Sequence, residues 1–230
     1  MIASSKWQMI KPVLILNLSI LVLMILASFW VWQQVPADAR LPVHWNISGE
    51  VDRFGSKFEG LFMIPLVTLG IMALLLLVPV IEPRRQHIWR SIKAYRVILI
   101  GIILLMAFLH FVLLIAALGQ TVNVGRLVTL GVGILFILIG NYLGKVRSNF
   151  FLGIRTPWTL SSERAWNKTH RLGGWLYVIL GFIIVINGIF WGATRAFIVL
   201  ISGVVLFSLI PAVYSYFVWK SDPDKQTRGT

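Results

Sequence analysis

The sequence predicts an all-α integral membrane protein, a six-helix transmembrane bundle with the N- and C-termini cytoplasmic. Three observations predict it. Apolar residues make up 58% of the 230-residue chain and charged residues 13%, and the mean hydropathy is +0.85. Soluble domains are roughly half apolar and about one-quarter charged. Six stretches approach the roughly 20 apolar residues that cross a hydrocarbon core of about 30 Å at about 1.5 Å per helical residue. The basic residues divide unevenly between the connections: Arg40, Arg53, Lys57, Arg126 and Arg195 fall outside, and the other 16 of the 21 Lys and Arg, from Lys6 to Arg228, fall inside. That asymmetry is the positive-inside pattern.

The spans are expected near Pro12 to Val35, Leu61 to Ile81, Tyr95 to Leu118, Arg126 to Leu143, Leu172 to Trp191 and Ala196 to Trp219. Unpaired backbone amides are costly in lipid, so these are helices, and no run of short alternating strands suggests a barrel. Ala37-Asp38-Ala39 after the first apolar run mimics a signal-peptide cleavage site, but Val13 to Trp32 exceeds the about 7–15 residues of a signal core and favours a retained helix. Gly140 with Gly144, and Gly188 with Gly192, have the small-xxx-small spacing that lets helices approach closely and permits a homodimer. Pro65, Pro79 and Pro211 are candidate kinks. Asn17, His110, Asn141 and Asn187 are polar at membrane depth and are expected to face the bundle interior and find partners there. For His110 an interhelical hydrogen bond is expected, because no Asp or Glu within a span could relay a proton.

Two polar islands interrupt the apolar chain. The outer one, Pro36 to Gly60, reads as a compact loop in which Pro42 favours an extended approach and Gly49 and Gly55 serve as turn residues. His44 and Trp45 are expected near the membrane interface, and Asn46-Ile47-Ser48 fits a glycosylation acceptor only in a secretory context. The inner island, Asn149 to Gly174, is richer. Gly153 can take a conformation closed to other residues, Thr156 before Pro157 is extended, and Ser161 or Ser162 is a good N-cap with Glu163 in the first turn. Trp166 and His170 then share one face of a short interfacial helix, its tryptophans at headgroup depth and Arg164, Lys168 and Arg171 toward water or phosphate. On chemistry alone, headgroup anchoring and protein docking both remain open. The expected organisation is residues 1–81 as two helices with the outer loop, and residues 82–230 as four helices with a cytoplasmic loop at 145–171 and a short basic tail.

The same residues argue against several classes. A net charge of +13 would suit nucleic acid, but its distribution serves orientation and contact with membrane lipid headgroups, not direct nucleic-acid binding. Without cysteines the chain has no disulfides or thiolate chemistry. All eight Asp and Glu lie in loops or tails. Glu163 and His170 share a helical face but stand about 10.5 Å apart in rise, too far to hold one metal ion. No nucleophile elbow, P-loop or dinucleotide fingerprint occurs, and no carboxylate stands at a local spacing that would orient His44 or His170 as a base. The chain is therefore expected not to be an enzyme and to need no cofactor. The rival reading is a small-molecule or peptide transporter or exporter, opposed by the absence of intramembrane carboxylates and of a visible repeat.

The segment Asn149-Phe-Phe-Leu-Gly153-Ile-Arg155-Thr156-Pro157-Trp158-Thr159-Leu, followed by Trp166-Asn-Lys-Thr169-His170-Arg-Leu-Gly173, resembles the signature of the SdpI family of membrane immunity proteins. The outer stretch Pro42-Val-His44-Trp45-Asn46-Ile-Ser-Gly49, continuing through Asp52-Arg-Phe-Gly55, is similar to the short domain of unknown function that often precedes the SdpI region. The resemblance implies a multi-pass protein of the bacterial plasma membrane that protects the cell from a secreted peptide toxin. From the family's founding member it also implies signalling, by capture of a cytoplasmic transcriptional repressor at the membrane. On this reading the outer loop, with Pro42, His44, Trp45, Asn46 and Gly49, faces the toxin. The inner loop, with Asn149, Gly153, Arg155, Thr156, Pro157, Trp158, Thr159, Trp166, Thr169 and His170, meets the cytoplasmic partner.

Overall fold

Six helices long and apolar enough to cross a membrane organise residues 2–225, the part of the chain described by the structure, a computed structural model. Arg228 of the basic tail lies outside the described residues. In chain order the elements are α1 (Ile2–Gln34), β1 (Leu41–Trp45), β2 (Val51–Gly55), α2 (Lys57–Ile81), α3 (Arg85–Arg90), α4 (Ile92–Ala117), α5 (Val124–Leu143), α6 (Pro157–Leu160), α7 (Glu163–Phe190) and α8 (Ala193–Lys220). The protein is a multi-pass, all-α membrane protein. Many large apolar side chains are exposed along the spans, among them Leu23, Leu74, Ile134 and Phe190, as a lipid-facing surface demands and a water-facing one would not tolerate.

α1, α2 and α4 pack together around Leu21, Met72 and Ile103, with a second cluster of Ile10, Val13, Val78, Tyr95 and Leu99 toward the end that carries the N-terminus. α5 and α7 form the closest pair. A Cβ on Gly140 would lie 2.7 Å from the Gly174 carbonyl oxygen, and one on Gly181 would lie 2.6 Å from that of Gly133. Only hydrogen at these four positions lets the two backbones meet. Of the expected small-residue pairs, Gly140 is thus spent on contact within the chain. Gly144 makes ordinary contact with Arg171, and Gly188 packs on Leu130. Gly192, the N-cap of α8, has open space where a Cβ would stand, with nothing within 4 Å.

Other expectations shift with tertiary context. The outer island, expected as a compact loop, is a two-stranded antiparallel hairpin, β1 with β2. The short interfacial helix and the fifth span are one continuous 28-residue helix, α7. Helices continue through Pro65, Pro79 and Pro211. His110 does bridge helices: its Nε2 lies 3.1 Å from Ser28 Oγ and 3.1 Å from the Met24 carbonyl of α1, while Ser28 donates to the Leu61 carbonyl of α2 at 2.6 Å. Asn17 is buried with both amide atoms unpartnered. Asn141 is exposed and Asn187 half-buried, and each donates to the carbonyl one turn back, Ile137 and Ile183. A local partner one turn away removes the need to point inward.

Candidate functional site

At the end carrying the N-terminus, residues 144–162 fold into a cap over the bundle. Asn149 sets its first turn: its Oδ1 accepts the N–H of Phe151 at 2.9 Å and of Leu152 at 2.6 Å, and its Nδ2 donates to the Arg147 and Leu152 carbonyls. Gly153 follows with φ 109°, a backbone conformation that excludes most side chains. Ile154 N–H then donates to Nε2 of His170 at 2.9 Å. An imidazole nitrogen that accepts carries no proton, so the proton sits on Nδ1, which donates to the Trp166 carbonyl at 2.8 Å. The indole of Trp166 stacks on this ring at 3.9 Å and donates to the Val146 carbonyl at 2.7 Å.

The cap is tied to three other parts of the chain. Thr156 is the N-cap of α6 in a reciprocal capping box with Thr159, and its hydroxyl meets Ser215 of α8 at 2.9 Å. Ser162 caps α7 by accepting Ala165 N–H at 2.9 Å, and its hydroxyl donates to Asp222 just beyond α8. On the far side the buried Glu82 carboxylate accepts the N–H of Arg84 at 2.8 Å and of Phe150 at 2.9 Å. Arg84 donates to Ser148 Oγ at 2.5 Å and to the Leu160 carbonyl, and its guanidinium lies 4.8 Å from the Phe150 ring centre. His87 donates through Nδ1 to the Ser148 carbonyl at 2.6 Å. A cavity of about 410 Å³ opens among Arg84, His87, Ser148, Arg164 and Asp222.

Asp222 titrates below its ordinary value of 3.8, chiefly because Ser162 donates to its ionised form, helped by the Asp224 N–H and the nearby Arg164 and Lys225. A depressed folded value stabilises the folded state fully above 3.8, and the contribution is lost as the pH falls through the lower folded value. Asp222→Asn is expected to lower the unfolding temperature at neutral pH, with the gap from the wild type closing as the buffer is acidified. A constant gap across a thermal-unfolding series from neutral to acid pH would show that the carboxylate's charge contributes nothing.

Of the inner residues expected to meet a partner, Asn149, Thr159, Trp166, Thr169 and His170 are buried. They cannot touch a partner as the cap stands; those with bonds or stacking shape the loop, and Trp166 is a core residue, not a headgroup anchor. Gly153, Arg155 and Pro157 are exposed, and Thr156 and Trp158 are half-buried. Arg155 is held by the Phe150 carbonyl at 2.6 Å, and Trp158 meets Tyr216 edge-on at 5.3 Å. Glu82, Arg84, Ser148 and Asp222 escaped sequence reasoning. Glu82 alone left a trace: a carboxylate at a helix C-terminus opposes the helix dipole and needs another reason to be there.

At the opposite end the β-hairpin turns over Asn46, whose Oδ1 accepts the N–H of Ser48 at 2.9 Å and of Glu50 at 3.0 Å, with Gly49 at φ 86°. Pro42 sits in β1 opposite Phe54. The pairing brings Asp52 Oδ1 to 2.5 Å from His44 Nδ1. Local spacing suggested that no carboxylate could orient His44, and this is corrected: antiparallel pairing closes a gap of eight residues. The pair is well exposed, and among the described residues Asp52 is the one hydrogen-bond partner of His44. Leu41 presses on Gly60 and packs with Val31 and Leu61, which fastens the hairpin to α1 and α2, and the Lys57 ammonium ties α2 to the chain after α1 by donating to the Val35 carbonyl at 2.6 Å. His44, Trp45 and Asn46 line a cleft of about 540 Å³ whose other walls are Val128 of α5 and Phe197 and Leu200 of α8.

Residues 145–215 match the SdpI/YfhL protein family, and residues 19–69 match a domain of unknown function, DUF1648. The chain is 28% identical over 206 residues to Immunity protein SdpI of Bacillus subtilis (strain 168), covering 90% of this chain and 95% of that protein. No solved structure matches it. The family match spans the cap and its supports on α7 and α8, and the second match includes the hairpin.

Proposed function

We propose that this protein, whose residues 145–215 match the SdpI/YfhL protein family, is an immunity protein of the bacterial plasma membrane. It binds a secreted antimicrobial peptide at the outer cleft and reports occupancy to the cytoplasmic cap. The observation that carries this reading is the cleft, where the hairpin residues His44, Trp45 and Asn46 meet the outer ends of α5 and α8. It joins residues 1–81 to residues 82–230, taken as the two working units. Its walls are largely apolar, with one exposed His–Asp pair and an Asn turn at the rim, the composition expected of a site for an amphipathic peptide. α5 and α8 both run from the cleft to the cap, so a peptide that favours one packing of these helices by a few kcal/mol would shift the cap's equilibrium. The exposed Arg155 and the half-buried Trp158 are the surface offered to a cytoplasmic repressor.

The test is survival of a toxin-sensitive bacterium expressing the chain, with membrane potential followed by a dye. His44→Ala with Trp45→Ala is expected to lower peptide binding at least tenfold and abolish protection, since buried aromatic anchors are commonly worth about 2 kcal/mol or more. Arg155→Ala with Trp158→Ala is expected to leave peptide binding intact and abolish repressor capture. Unchanged binding in the first variant would remove the cleft from the mechanism. Energy-dependent efflux of the peptide by the wild type would replace immunity by transport.

A further inference from the structure

A second groove lies on the lipid-facing side of the α5–α7 seam and owes nothing to the immunity reading. The glycine contacts bring the two backbones so close at Gly140 and Gly174 that no large side chain fills the seam, and a groove of about 320 Å³ remains. At its cytoplasmic end stand Lys145 and Arg171, both exposed; Asn141 and Trp175 flank it, and no carboxylate lines it. The Lys145 ammonium lies 4.3 Å from the Tyr142 ring centre. Arg171 has no hydrogen-bond or ion-pair partner among the described residues. This differs from the cavity at Arg84, whose cations face Glu163, Asp222 and Asp224.

Depth in the membrane follows from helix length. The 28 residues of α7 span about 42 Å, against a hydrocarbon core of about 30 Å, so its first turns, packed under the cap, stand above the core. α5 ends at Leu143, which places Lys145 and Arg171 at the boundary. Trp175 is one turn further in and 68% exposed, the position of an interfacial aromatic. We propose that this groove binds one anionic phospholipid of the cytoplasmic leaflet, its phosphate between Lys145 and Arg171 and an acyl chain along the glycine floor. Two cations without a counter-carboxylate, above an apolar channel that opens to lipid, select a headgroup with net negative charge over a zwitterionic one.

The full-length protein is reconstituted in bilayers containing brominated phosphatidylglycerol or brominated phosphatidylcholine, and quenching of Trp175 is read as the difference between wild type and Trp175→Phe. Half-quenching is expected at a mole fraction roughly 25-fold lower for the anionic lipid, the two basic residues each supplying roughly a fivefold preference. Lys145→Gln with Arg171→Gln is expected to erase the preference while Trp175 remains quenched, and Lys168→Gln, an exposed cation outside the groove, to retain it. Equal quenching by both lipids in the wild type, or a preference that survives the double substitution, overturns the proposal. Loss of the preference on adding inorganic phosphate, with ionic strength held constant, would assign the cations to a free anion and overturn it as well.

Discussion

Replacing Gly153 by alanine will dislodge the cap formed by residues 144–162 without preventing membrane insertion. The residue holds φ at 109°, and a methyl group there would collide with Nε2 of His170. The backbone conformation alone costs a non-glycine residue about 1–3 kcal/mol. The collision adds to this, because His170 cannot retreat: it is buried, stacked on Trp166 and bonded through both nitrogens. Displacing the ring also deprives Ile154 N–H of its acceptor, and an unpartnered buried donor costs about 1–3 kcal/mol. His170→Ala, which removes the acceptor without strain at Gly153, is expected to lose less stability than Gly153→Ala. Thermal unfolding of the purified variants checks this. A Gly153→Ala protein as stable as the wild type would mean that residues 149–154 do not hold the described turn.

The second large effect is expected at the α5–α7 contact. Gly140→Val and Gly181→Val each push a side chain into a facing carbonyl oxygen, at 2.7 Å and 2.6 Å for Cβ alone. Backbone cannot rotate away as a side chain can, so the helices must separate. Overpacking of this kind typically costs about 1–3 kcal/mol, occasionally more, and in a protein of ordinary marginal stability two such substitutions together approach the whole. Gly70→Ala in α2 provides the contrast, since nothing lies within 4 Å of its Cβ position. Relief of glycine's chain entropy should then stabilise the helix by roughly 0.5–1 kcal/mol. Unfolding measured in one detergent for all three variants checks the sign as well as the size. If Gly140→Val were neutral, the two helices would not be in backbone contact, and the lipid groove beside them would lose its floor.

The six spans were legible in the sequence because they depend on a sum over many residues, the total apolar length. Local stereochemistry was legible as well. Gly153 and Gly49 do hold positive φ, Thr156 is extended before Pro157 and Ser162 caps α7, since each of these depends on a residue and its near neighbours in the chain. Trp166 and His170 were placed on one face by their spacing, and they do stack. What the spacing could not say is that this face is covered. The missing facts were the positions of Val146 and Ile154, which fold back over the helix and turn an apparent docking surface into an interior.

The remaining features join residues far apart in the chain. Glu82 accepts from Phe150 across 68 positions, Arg84 reaches Ser148 across 64, and Ser162 meets Asp222 across 60. None of these pairs shares a helical face or a turn, so no periodicity reports them. The outer cleft is of the same kind, with walls drawn from β1, α5 and α8. By itself the sequence determined six helices long and apolar enough to cross a membrane, the turns at Gly49 and Gly153 and the cap at Ser162, because hydrophobic length and backbone sterics act locally or additively, whereas Gly55, expected in a turn, ends β2. Only the tertiary structure decided which polar residues are exposed and which glycines carry helix contacts. It also decided how the hairpin and the cap close the two ends, because each depends on atoms brought together by packing from distant parts of the chain.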